Sequence, residues 1–432
     1  MNFFVENFGC RAAQADGSAL ESALMAEGLS PCGERSGAQV VVLNTCTVTQ
    51  QADDDVCQTI RRVHRENPDA RILVTGCYAQ RSPQDLAAMP GVEWVVGNSH
   101  KAEIPALLSG TAHYHGNIAV GDVFADSFFS MPDVGRGRTR PNLKIQDGCN
   151  NRCSFCIIPS VRGASRSAPA DQVVEQVRKL SEQYCEIVLT GINLGRWGRE
   201  AGSRLRLVDL LRRILAETRV QRLRLSSVEP MDFSDALLQF MAESPRIAGH
   251  VHAPLQSGAD AVLKRMRRKY RARHYAGRLA LARSLMPDAA IGADVMVGFP
   301  GETDAEFEES RNFIEQLPFT YLHVFTYSER PGTPAVRSSG AVPMHVRRER
   351  NRILRELAAS KNRAFRQSLL GRTVSAVTLN EPGIALTENY VRVEMAGLRQ
   401  PNQIVNLRVG GVTASGLREV TSPAVLPLLS SS

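Results

Sequence analysis

Val40–Leu43 is a continuous apolar run, too short for a buried helix and too uniform for a half-exposed strand, and the chain around it repeats the same pattern. Strand-like segments at Phe3–Glu6, Val40–Leu43, Arg71–Thr75 and Trp94–Val96 alternate with helix-like segments at Ala19–Glu27, Asp53–Glu66, Pro83–Ala88 and Ala102–Leu108. Buried strands alternating with helices predict an α/β doubly wound parallel sheet over residues 1–110. Cysteines fall at matching places in that repeat: Cys10 after the first strand, Cys46 after the second and Cys77 after the third, 36 and 31 residues apart. One strand–helix–strand unit is about 30 residues long, so the three thiols should converge at the carboxyl ends of neighbouring strands, where open α/β sheets bind ligands. Each follows a small or polar residue suited to close backbone approach, as in Gly9-Cys10 and Gly76-Cys77. A free cysteine is also a good small core residue. That is the expectation for Cys32, Cys57 and Cys185, which show no such phase.

A second strand–helix series runs from Asn142 to about Thr333 and opens on a different arrangement of cysteines. Cys149, Cys153 and Cys156 stand in a C-x3-C-x2-C spacing just after the short apolar strand Leu143–Ile145. Thiolates select soft or borderline metals and iron–sulfur clusters. A zinc knuckle would need a fourth Cys or His close by, and this loop has none. Three thiols on a four-iron cluster leave one iron free for a small ligand, by the logic that separates open catalytic metal sites from closed structural ones. Further strands at Ile187–Leu189, Arg222–Leu225, Gly249–His252, Ile291–Val297 and Tyr321–Phe325 each run into a Gly-, Pro- or polar-rich loop. Six strands with intervening helices predict a partial (β/α)6 barrel with its function at the carboxyl-end loops.

Residues 111–141 read as a linker, ending in the arginine-rich run Gly135–Pro141, and residues 142–366 as the barrel with a basic helical extension. Residues 367–432 read as short strands and turns, a small β-barrel module of the oligonucleotide-binding size with a frayed end at Thr421–Ser432. The chain of 432 residues carries a net charge of +8, and the location of that charge is more informative than its sum. Lys264–Arg273 holds seven cations and no acid, and Arg347–Arg366 holds eight cations against two acids. A solvated helix face usually balances its signs. These patches therefore favour a polyanion, with Arg265, Arg267, Arg268 and Lys269 as the candidate nucleic-acid contacts. No apolar run approaches bilayer length and no signal-peptide pattern precedes residue 10, which predicts a cytoplasmic chain with no membrane contact.

The two cysteine triads, the Asn44-Thr-Cys-Thr-Val-Thr49 segment and Leu143–Asn151 together resemble the methylthiotransferase family of radical S-adenosylmethionine enzymes over essentially the whole chain. Within it they look most like the branch acting on threonylcarbamoyladenosine beside the tRNA anticodon. The resemblance implies an amino-terminal cluster domain, a radical-SAM barrel and a carboxy-terminal TRAM-like β-barrel. It also implies two 4Fe–4S clusters as cofactors, one on Cys149, Cys153 and Cys156 with S-adenosylmethionine, the other on Cys10, Cys46 and Cys77. On that basis Gly191, Asn193, Ser227, Glu229, Gln256, Gly258 and Gly298 are the candidate S-adenosylmethionine contacts, tRNA is the substrate, and an electron donor such as a flavodoxin or ferredoxin is implied. Other branches modify isopentenyladenosine in tRNA or an aspartate of a ribosomal protein. A reading of another class is an iron–sulfur RNA-binding or redox-sensing protein without turnover.

Overall fold

The computed structural model describes residues 1–112, 116–124, 139–200 and 204–420. The expected frayed end at 421–432 and the linker arginines Arg136 and Arg138 lie outside these residues.

The first sheet is fully parallel: β1 Asn2–Asn7, β2 Ser30–Pro31, β3 Val40–Thr45, β4 Arg71–Gly76, β5 Val92–Gly97 and β6 Ile118–Ala119, in the order β2-β1-β3-β4-β5-β6. Alternate residues of the central strands feed opposite faces. Val41, Leu43, Ile72 and Val74 meet Val56, Ile60 and Val63 of helix α2 (Gln50–Glu66). Val40, Val42 and Leu73 pack with Leu20 and Leu24 of helix α1 (Arg11–Ala26). The sheet is thus covered on both sides, as the strand–helix alternation predicts. Two helices differ most from the sequence expectation. Helix α1 begins at Arg11 rather than Ala19, because its first turns bury Ala12, Ala13 and Ala15 in place of a large apolar stripe. A short helix α3, Cys77–Arg81, precedes the expected one. Strand β6 falls within the stretch 111–141 that reads as a linker.

In the second unit, β7 Asn142–Asp147, β9 Glu186–Gly191 and β10 Arg222–Leu225 are parallel neighbours, and β8 Arg166–Ser167 pairs antiparallel with the end of β7. β11 His250–His252, β12 Ala290–Val297 and β13 Tyr321–Thr326 form a second parallel ribbon. The two halves meet through a parallel bridge between Leu223 and Ile247 and a bond from Val228 N to the His252 carbonyl of 3.0 Å. The six parallel strands curve round one large core and make the partial (β/α)6 barrel.

A 25-residue helix, Met344–Ser368, leads to a closed barrel of β14 Thr373–Thr378, β15 Ile384–Thr387, β16 Arg392–Glu394, β17 Ile404–Val412 and β18 Leu417–Glu419. Much of the helix's positive charge is used internally. Arg347 and Arg350 are buried on Glu329, Glu302 and Asp304, Arg352 pairs with Glu349 and Glu356, and Lys361 and Arg366 bond to backbone carbonyls. Among the described residues, no helix is long and apolar enough to cross a membrane.

Candidate functional site

Strand β1 pairs with β3, and β3 with β4, so their carboxyl ends lie side by side. The chain leaves β1 for the β2 edge but continues from β3 across the rest of the sheet, which makes β1/β3 a topological switch point. Cys10 lies at the amino-terminal cap of α1, Cys46 directly follows β3, and Cys77 opens α3 after β4. The glycine before Cys10 is dictated by this convergence: at φ +91°, a Cβ on Gly9 would lie 2.3 Å from the Cys46 Cβ. Burial first, then the neighbouring Cys77 and Cys10, pushes the Cys46 thiol up to about 12. A metal binding there must displace its proton. Asn98 Nδ2 lies 3.6 Å from the Cys77 sulfur and also donates to the Val161 carbonyl at 2.8 Å.

The loop after β7 carries Cys149, Cys153 and Cys156. Gly148 turns into it at φ +67°, where a Cβ would lie 1.9 Å from the Ala164 carbonyl oxygen, so only glycine fits. Donors reach the sulfurs from three sides: Asn151 N at 3.4 Å and Asn193 Nδ2 at 3.8 Å from Cys149, and Arg268 Nη1 at 3.3 Å from Cys153. Burial raises the Cys149 and Cys156 thiols, the latter to about 12. Among the described residues, neither triad has all three of its sulfurs within 4.8 Å of one another. Two sulfurs on a single tetrahedral ion with bonds of about 2.3 Å would lie about 3.8 Å apart. These wider sets, with N–H donors aimed at sulfur, suit a polynuclear cluster.

Between the triads sits a fully buried charge network. Asp16, on α1, accepts from Lys144 and from Arg162 Nη2 at 2.8 Å, with Lys101 Nζ at 3.6 Å. Asp147, two residues before Cys149, accepts from Lys144 at 2.9 Å and from Arg162 Nη1 at 3.0 Å. Burial would raise the Asp16 carboxyl, but Lys144, Arg162 and Lys101 override it and hold Asp16 well below the usual carboxylate range. The charge of Arg162 also faces the sulfurs of Cys77 and Cys10.

The other candidate residues divide. Asn193 and Glu229 sit at the Cys149–Cys156 loop, and the buried Asn193 Oδ1 has no partner among the described residues. Gln256, at φ 66°, opens onto a cavity of about 320 Å³ lined by Val48, Cys156, Asp294, Met296 and Phe325. Val48 and Phe325 are large apolar side chains left half exposed at this cavity. Gly191 packs against Gln146, Gly258 against helix Asp304–Gln316 and Gly298 against Arg347, so their lack of a side chain serves backbone packing. Ser227 is half buried in the loop after β10. Of the expected phosphate contacts, Arg268 turns inward: its side chain is 4% exposed and binds Glu229, Tyr270 and Cys153, because an unpaired Glu229 beside the thiols would be costly to bury. Arg265 is paired with Glu306. Arg267 and Lys269 remain exposed and without a partner among the described residues. Sequence reasoning passed over Asp16, Asn98, Lys101, Lys144 and Arg162. Charged Lys144 between the apolar Leu143 and Ile145, with Asp147 at the strand end, was the available signal.

Residues 143–314 match the Radical SAM superfamily and residues 2–97 the Uncharacterized protein family UPF0004. The chain is 34% identical over 413 residues to the "Threonylcarbamoyladenosine tRNA methylthiotransferase MtaB" of Aquifex aeolicus, covering 95% of this chain and 100% of that one. It is 39% identical over 375 residues to the MtaB of Bacillus subtilis, covering 83% and 82%. It is 34% identical over 419 residues to the "tRNA-2-methylthio-N(6)-dimethylallyladenosine synthase" of Parafrankia sp., covering 95% and 84%. In fold it is similar to the radical S-adenosylmethionine methyltransferase TsrM of Kitasatospora setae, with TM-score 0.57 and 17% identity over 78% of this chain and 76% of that one. The match over the barrel and the three-thiol loop at its mouth together mark a protein that binds an iron–sulfur cluster and S-adenosylmethionine. The chain belongs to the methylthiotransferase family of radical S-adenosylmethionine enzymes.

Proposed function

We propose that this protein inserts a methylthio group at C2 of N6-threonylcarbamoyladenosine in tRNA, in the cytoplasm, with a flavodoxin or ferredoxin as electron donor. The observation that supports it best is the pairing of two three-thiol loops, Cys10/Cys46/Cys77 and Cys149/Cys153/Cys156, across one buried ionic network and beside one apolar-lipped cavity. The donor sets suit two 4Fe–4S clusters. When bound, one with S-adenosylmethionine supplies the radical that takes the C2 hydrogen, and the other supplies the sulfur. The chain's own part is placement. Asn193 and Glu229 stand where they can hold the amino and carboxylate ends of S-adenosylmethionine, Asn98 holds the Cys77 sulfur, and the Arg162 cation favours negative charge on Cys77 and Cys10. Val48 and Phe325 offer apolar faces to a base entering the cavity and exclude water from it. Arg267 and Lys269 give the tRNA backbone its cations.

Nucleoside mass spectrometry of tRNA from cells with and without the gene tests the reaction. Loss of the methylthio group from threonylcarbamoyladenosine alone is the expected result. Loss from dimethylallyladenosine instead would assign the substrate of the Parafrankia relative, and no change in either nucleoside would sink the tRNA reading. The cluster assignment is tested separately by iron and sulfide analysis after anaerobic reconstitution. Cys46→Ala and Cys153→Ala should each remove about half of the iron, and a full complement in Cys46→Ala would refute the amino-terminal site.

A further inference from the structure

Beside the same cavity, which Asp294 lines, three adjacent strands bring together side chains that neither cluster uses. His252 ends β11, Asp294 lies within β12, and His323 lies in β13 directly opposite Asp294 in the parallel register. His252 is opposite Gly292, two residues before Asp294, and so reaches it diagonally. His252 Nε2 lies 3.2 Å and His323 Nδ1 3.1 Å from the same Asp294 oxygen, and the three ligand atoms all fall within 4.8 Å.

We infer that His252, Asp294 and His323 form a binding site for a divalent first-row transition metal, distinct from both thiol triads. Two donors on one ion, with bonds of about 2.0–2.2 Å at tetrahedral or octahedral angles, lie about 2.9–3.5 Å apart; both observed nitrogen–oxygen separations fall in that range. Two imidazoles and one carboxylate suit zinc, ferrous iron or cobalt better than magnesium or calcium, which prefer all-oxygen sets. The second layer is built as metal sites build it. The Tyr321 hydroxyl lies 2.8 Å from His252 Nδ1 and 2.7 Å from His250 Nε2, which fixes the His252 ring with Nε2 toward Asp294. Three protein ligands leave a coordination position open, the arrangement of reactive rather than structural sites. Asp294 lines the cavity that Cys156 also lines, and the His323 side chain is 52% exposed, so that position is reachable. The site uses barrel residues alone and does not depend on the methylthiotransferase reading.

The test is equilibrium dialysis of the cluster-loaded full chain against Co²⁺, with elemental analysis and cobalt-edge X-ray absorption. One cobalt per chain with nitrogen and oxygen neighbours is expected. Asp294→Asn and His323→Ala should each weaken it about 10-fold or more, with iron and sulfide content unchanged. His323 stands on the edge strand β13, so its variant tests the site even if Asp294→Asn fails to fold. No added cobalt, sulfur neighbours in the absorption spectrum, or unaltered binding in a folded His323→Ala would overturn the assignment and leave a hydrogen-bonded His–Asp–His group.

Discussion

At the scale of single residues, the cations of Arg265–Lys269 separate by what they touch. Arg268 spends its guanidinium on Glu229 and the Cys153 sulfur, whereas Arg267 and Lys269 point to solvent. The double reversal Arg267→Glu/Lys269→Glu should weaken tRNA binding and reduce its salt slope by about 1 for each phosphate no longer neutralised. Filter binding across a salt series measures this, and a slope equal to the unmodified protein's would assign both side chains to solubility. Arg268→Gln should leave the slope unchanged but alter the cluster bound by Cys153, seen as a changed reduction potential or a lower iron content, because an N–H to sulfur bond tunes such clusters. In sequence the four cations look alike. Only the fold of the 254–270 segment, with Tyr270 bonded to the Pro254 and Leu255 carbonyls, turns one of them inward.

Elements were more legible than residues. The first sheet, the barrel and the small β-module follow from apolar runs and turn signals, and the phase of Cys10, Cys46 and Cys77 predicts their convergence because period and unit length coincide. Polar groups buried inside strands were less legible, since a lone charge in an apolar run gives no hint of its partner. Glu186 at the start of β9 belongs to this class. Glu186 accepts from Arg224 at 2.7 Å and from Arg140 at 3.0 Å, with Arg222 at 3.5 Å. Burial would raise its carboxyl, but Arg224 first, then Arg140 and Arg222, hold it at about 2, below its ordinary 4.5. A depressed carboxylate contributes stability above its unfolded value and loses it as the folded value is approached. The contribution is therefore complete above about pH 4.5 and disappears as pH falls toward 2. In denaturant melts of the cluster-free protein, Glu186→Gln should cost about 3–5 kcal/mol at pH 7, through uncompensated buried arginines, and should flatten the acid limb. An acid limb as steep as the unmodified protein's would show that Glu186 does not carry it.

For the whole molecule, Tyr390 of the small barrel is the shared contact. Its hydroxyl accepts from Arg11 of α1 at 2.9 Å, its ring lies 5.4 Å from the Arg224 guanidinium, and His250 of β11 stands 4.9 Å away, ring to ring. Tyr390→Ala should loosen the 373–419 barrel from the rest of the chain, measured as faster amide exchange in its strands with cluster content unchanged. Unaltered exchange would leave Asn402 and Arg372, bonded to Cys185 and Asp288, as the sufficient anchors. The buried ionic network has a consequence for how the protein is made. Asp16 lies on the helix that follows Cys10 and has Lys101 of its own half at 3.6 Å, while its closer partners Lys144 and Arg162 bracket the other thiol loop, so the network is complete only when the two halves meet. During synthesis Asp16 has Lys101 as its buried cation until residue 162 has left the ribosome, and only then can Lys144 and Arg162 join it. Docking of the two halves therefore closes the ionic link between the two thiol loops, so a change at Asp16 on one side is felt beside Cys149 on the other.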